Sequence, residues 1–171
     1  MSNPRWLVCE DGTEYTDRLQ RFLGAEFRFE RVTDAAALLA AVAPPAGAAG
    51  PAATAAGPAA TAADPATTAA DPAAGVIMDL DFRRTPDDLL VDENGGSGRP
   101  LAPEERSRLT ESQGIFVLRA LRRAGCRLPV ILCADLEDPA QVAFLERTLG
   151  PLAVAPSSES ITALARRMRG C

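Results

Sequence analysis

Two short acidic stretches carry most of the chemistry open to this chain. Glu10-Asp11 ends an apolar run, Trp6-Leu-Val-Cys9, and Asp79-Leu80-Asp81 closes a second, Val76-Ile-Met78. A carboxylate inside an apolar run needs a reason, and two such runs side by side would crowd up to four carboxylates together. Crowding of that kind forces some of them to protonate unless a cation intervenes. Magnesium suits the case, because it is a hard cation that takes oxygen ligands and keeps several waters. Glu10, Asp11, Asp79 and Asp81 are therefore the expected metal ligands, with Mg2+ as the expected cofactor. The plainer alternative is local. In it Asp11 caps the first helix, Glu10 favours that helix's positive end, and Asp79 and Asp81 are solvated loop acids.

Composition narrows the remaining menu. The chain has 171 residues and no histidine, and all 18 of its basic residues are arginine against 23 acidic ones, a net charge of −5. Without histidine there is no imidazole base and no His-ligated metal. Without lysine there is no Schiff base and no Walker-type phosphate loop. The negative charge argues against broad attraction to nucleic acid or anionic membrane, so neither is an expected partner. Cys9, Cys126, Cys133 and Cys171 show no C-x-x-C spacing. They read as reduced thiols, with Cys9 and Cys133 packed in the core. No secretory leader or long apolar span is visible, so a cytoplasmic location is expected.

The elements that must position the acids alternate along the chain. Trp6–Cys9 reads as a first strand, Thr13–Leu23 as a helix, Phe27–Val32 as a second strand, and Leu38, Leu39 and Val42 as a helix after Thr33 or Asp34. Gly75–Leu80 is the third strand, Gly114–Ala124 a helix closed by Gly125, and Pro129–Cys133 the fourth strand. Asp138-Pro139 is a cap followed by an N1 proline, opening a helix through Val142, Leu145 and Leu149. Leu152–Val154 is a weak fifth strand, and a last helix after Ser157 or Ser158 carries Ile161, Leu164 and Met168. Strict alternation predicts one α/β domain over 1–171: a doubly wound, five-stranded parallel sheet of flavodoxin-like order 2-1-3-4-5, helices on both faces. Its site is expected beyond the carboxyl ends of the strands, near the first and third.

Two stretches stand outside that pattern. Residues 43–75 hold a seven-residue Ala/Pro repeat, PAATAAG, PAATAAD, PATTAAD. Nothing large is present to form a seam and a proline recurs in every repeat, so a disordered insertion is expected. Residues 82–113 read as an extended loop over the acidic pocket, containing Arg83-Arg84, Asp87-Asp88, Asn94-Gly-Gly-Ser-Gly and a helix over Pro103–Thr110. Arg83 or Arg84 is a candidate substitute for a missing cation.

In order and spacing these motifs resemble the receiver domain of bacterial two-component response regulators. The resemblance covers the chain apart from the two insertions. It places the family's acidic pair at Glu10 and Asp11 and its phospho-acceptor at Asp79, and implies magnesium beside them. Gly114–Gly125 and Leu128-Pro-Val-Ile-Leu132 match the following helix and strand. The departures matter as much. The family's hydroxyl residue ending strand four falls at Ala134, or at Cys133 if the register slips by one. Its lysine before a proline falls at Ala155-Pro156. A cation that orients a phosphoryl group and a hydroxyl that reads it out are thus both replaced. The expectation is a degenerate, pseudo-receiver domain, more a non-enzyme than an enzyme, acting in signalling or as a scaffold through protein contacts. Its candidate partner face is 138–169.

Two enzyme readings compete. Glu10 with Asp79-Leu80-Asp81 also resembles the Toprim domain, which implies magnesium-dependent phosphoryl transfer on nucleic acid with Glu10 as acid or base. The D-x-D alone resembles the haloacid dehalogenase phosphatases, with Asp79 as nucleophile and Asp81 as acid/base. That family's later hydroxyl and lysine are again absent here.

Overall fold

The computed structural model describes residues 3–43, 72–96 and 100–170. The Ala/Pro repeat falls mainly on 44–71, outside the described residues, as does Cys171. In chain order the elements are β1 (Arg5–Cys9), α1 (Glu14–Leu23), β2 (Arg28–Val32), α2 (Ala35–Val42), β3 (Ala73–Asp79), a 3-10 turn (Asp87–Leu89), β4 (Val91–Asp92) and β5 (Gly95–Gly96). They continue with α3 (Pro103–Glu111), α4 (Gln113–Arg123), β6 (Val130–Cys133), α5 (Pro139–Leu149), β7 (Leu152–Ala155) and α6 (Ile161–Gly170).

The main sheet is parallel throughout, with order β2-β1-β3-β6-β7. This is the doubly wound arrangement expected from the alternation. Strand periodicity divides its side chains between two cores. Leu7, Cys9, Val76, Met78, Val130 and Leu132 face Leu38 of α2, Val117, Leu118 and Leu121 of α4, and Leu145 and Leu149 of α5. Trp6, Val8, Ile77, Ile131 and Cys133 face Leu19 of α1 and Leu164 and Met168 of α6. β3 is buried on both faces, and such burial is worth roughly 1.5–3 kcal/mol for each large aliphatic chain. Local chemistry sets the helix starts. Asp34 accepts from Ala37 N at 2.9 Å, and Asp138 accepts from Ala140 N at 2.8 Å ahead of Pro139.

Within 82–113, the stretch read as an extended loop, the described residues form a small folded unit. Leu90, Leu109 and Phe116 build a satellite core with Val91 and Leu101 against α4. The β4–β5 hairpin turns at Glu93-Asn94, with Gly95 at φ +128°, a conformation open to glycine. The buried Gln113 amide continues the pairing: it donates to Val91 O at 3.0 Å and accepts from Val91 N at 2.9 Å. This unit leans on α4, and only its first residues after Asp81 reach the strand ends.

A single guanidinium ties the far end of the sheet together. Arg122 donates to Leu149 O, Cys126 O, Leu128 O and Pro151 O at 2.7–3.0 Å. Those carbonyls end α5 and lead into β6 and β7, and Pro151 O also accepts from Val130 N at 3.2 Å.

Candidate functional site at the strand ends

Glu10 follows β1 directly and is 1% exposed. Its carboxylate accepts from Tyr15 N at 2.9 Å, Thr16 N at 2.8 Å and Thr16 Oγ1 at 2.6 Å. Thr13, at the N-cap position of α1, makes no side-chain cap bond, so Glu10 satisfies the helix's first amides from upstream. The local alternative in the sequence gave the capping role to Asp11; the structure gives it to Glu10. Asp11 instead accepts from the Arg84 backbone N–H, across 73 residues of chain.

Asp79 is the last residue of β3 and half-buried. Its Oδ1 accepts from its own following amide, Leu80 N, at 2.8 Å. Burial pushes its carboxyl up to about 6, the Asp11 and Asp81 charges add to the rise, and the Leu80 and Asp81 amides oppose it. The α4 start presses against this residue. Gly114 N donates to Leu80 O at 3.0 Å, and a Cβ on Gly114 would fall on Asp79 O. Glycine at 114 therefore lets the helix close on the strand end. Asp81 Oδ2 pairs with Arg83 Nε at 2.7 Å, while its Oδ1 is buried with no partner.

A cavity of about 410 Å³ opens here, lined by Asp11, Glu14, Tyr15, Asp79, Asp81, Arg83, Arg84 and Ser157. The structure thus brings Asp11, Asp79 and Asp81 around one space and turns Glu10 away from it. Glu14, Tyr15 and Ser157 were not singled out in the sequence. Glu14 and Tyr15 were readable as the first helical residues after the acidic pair. Ser157 depends on where β7 ends, and no local pattern gives that. Glu14 bonds Arg84 at 2.6 Å, which lowers its carboxyl to about 2.

The resemblance assigns magnesium to this place, and the residues present do not fit it as arranged. Glu10 is committed to α1, Asp11 to an amide, and Asp81 to a guanidinium. Among the described residues, no three His, Cys, Asp or Glu side chains come together to hold a metal ion. Nor does Glu10, the acid or base of the Toprim reading, line the cavity.

The strand register shows which residues stand level with Asp79 at the ends of β6 and β7. Asp79 pairs with Cys133, and Cys133 pairs with Ala155. Ala134 lies one step past that row and donates its N–H to Ala155 O at 2.8 Å. Ala155 is 0% exposed and Ala134 3%. Cys133 turns into the core beside α1 and α6, and burial pushes its thiol up to about 12.

The fold is that of a receiver domain. Solved structures similar to the chain include a Francisella response regulator 1452 receiver domain, at 14% identity and TM-score 0.56, covering 98% of this chain and 94% of that one. Another is a CheY-like response regulator receiver domain protein from Methanospirillum hungatei JF-1, at 12% identity and TM-score 0.53, covering 99% and 93%. A third is a sensor protein from Polaromonas sp. JS666, at 16% identity and TM-score 0.52, covering 99% and 95%. No family model and no curated protein matches the chain. Among the described residues, no helix is long and apolar enough to cross a membrane.

Proposed function

We propose that this chain is a pseudo-receiver: a bacterial, cytoplasmic signalling or scaffold domain that works through protein contacts and has lost the usual phosphorylation switch. The observation that carries the reading is the strand-end row Asp79–Cys133–Ala155, in which the two strands beside Asp79 present a buried thiol and a buried methyl. A phosphoryl group on Asp79 would add strongly charged oxygens to a row that carries neither a lysine nor a hydroxyl on β6 or β7. The surface at 138–169 supports the contact role. On this surface Phe144 of α5 is 48% exposed under Arg147, and a separate cleft of about 390 Å³ lies between Ala134–Glu137, Val142, Val154 and Pro156. An exposed aromatic is the kind of feature that anchors a protein partner.

The test is intact mass after incubation with a small-molecule phosphodonor and magnesium. The wild type is expected to show no stable aspartyl phosphate. An adduct that persists in the wild type and vanishes in Asp79→Asn would overturn the reading.

A further inference from the structure

Four carboxylates around one cavity, Asp11, Glu14, Asp79 and Asp81, need positive charge, and the chain supplies it from the segment that follows Asp81. Arg83 Nε lies 2.7 Å from Asp81 Oδ2. The Arg84 backbone N–H donates to Asp11, and Arg84 Nη2 lies 2.6 Å from Glu14 Oε1. A methyl group on Gly12 would fall on both Arg84 Nη1 and the Glu14 carboxylate, so the guanidinium sits directly over the loop after β1.

The backbone that carries the two arginines is held from both sides. Phe82 is fully buried in the larger core, and its N–H donates to Thr110 O at 2.9 Å. Arg106 on α3 donates to Thr85 O at 3.0 Å and pairs through Nε with Asp87 at 3.0 Å. It also reaches Arg83 O at 3.4 Å. The satellite core of Leu90, Leu109 and Phe116 fixes α3 in turn. These fixed points distinguish the pair from ordinary surface arginines.

We propose that Arg83 and Arg84 are built-in counter-cations of this pocket, Arg83 against Asp81 and Arg84 against Glu14 with its N–H on Asp11, taking the part that a divalent cation would otherwise play. The folded unit within 82–113 is then the device that holds them there. An arginine beside a carboxylate lowers the cost of ionised oxygens crowded together, as a dication does, but it occupies their lone pairs directionally and leaves no shared centre. This holds whether or not the domain signals, so its failure is distinct from failure of the pseudo-receiver reading.

The experiment is thermal unfolding of the full chain in magnesium chloride against sodium chloride of matched ionic strength. A ligand that binds only the native state raises its stability. The wild type is expected to show the same Tm in both salts. The Arg83→Gln/Arg84→Gln variant is expected to unfold at lower temperature and to regain about 3 °C or more in magnesium alone. Asp11→Asn in that background is expected to abolish the regain. Both arginine side chains are largely exposed, at 72% and 62%, so the variant is expected to fold. The wild-type titration is decisive without any variant. A magnesium-specific rise in the wild type overturns the proposal, and so does a double variant with no magnesium response.

Discussion

Asp79 concentrates the electrostatics of the strand ends. Burial and two neighbouring acids hold this carboxyl at about 6, well above its ordinary 3.8. The folded state thus binds the Asp79 proton more tightly than the unfolded chain does. Stability from this group is complete below pH 4 and is lost as pH rises through about 6. Asp79→Asn removes that loss. Denaturant unfolding is expected to show the variant gaining on the wild type between pH 4 and pH 7, by about 1–2 kcal/mol after solvent screening. A difference flat across that range would contradict the environment described for Asp79. The sequence showed that acids meet here, because carboxylates interrupt apolar runs. It did not show that Glu10 faces α1, since a glutamate after a strand reads equally as ligand or cap until the helix's position is known.

The elements show where sequence patterns carry and where they stop. Alternation of apolar runs and amphipathic segments was enough for β1–β3, β6, β7 and their helices, because each repeats a period that one face of the sheet demands. The β4–β5 hairpin was not legible. Its strands are two residues each, too short for a period, and its stability comes from Gln113 and a three-residue satellite core assembled across the chain. Asn94-Gly95 was the available sign, a common hairpin dipeptide read as a flexible spacer. Gly114 was read only as a helix start, whereas its contact with Asp79 O joins α4 to the pocket. Gly114→Ala is expected to cost about 2–4 kcal/mol, because backbone rather than a pliable side chain stands in the way. Urea unfolding checks this, and a cost below about 0.5 kcal/mol would mean that α4 does not press on the strand end.

At the scale of the whole molecule, and on the pseudo-receiver proposal, a receiver fold is kept while its switching parts are exchanged: Arg83 and Arg84 stand on a folded insertion, and Cys133 and Ala155 stand in the Asp79 row. The absence of lysine from the composition could be read at once. The resemblance placed it at Ala155-Pro156; that Ala155 shares a ladder row with Asp79 and Cys133 required the register. On that proposal the surface at 138–169 is a constitutive contact face, uncoupled from Asp79. Amide chemical shifts of the labelled protein, recorded before and after addition of a phosphodonor with magnesium, test this claim most directly. The account predicts that resonances from β7, α5 and α6 stay where they are. Shift changes that spread from Asp79 across to residues 138–169, and disappear in Asp79→Asn, would contradict it.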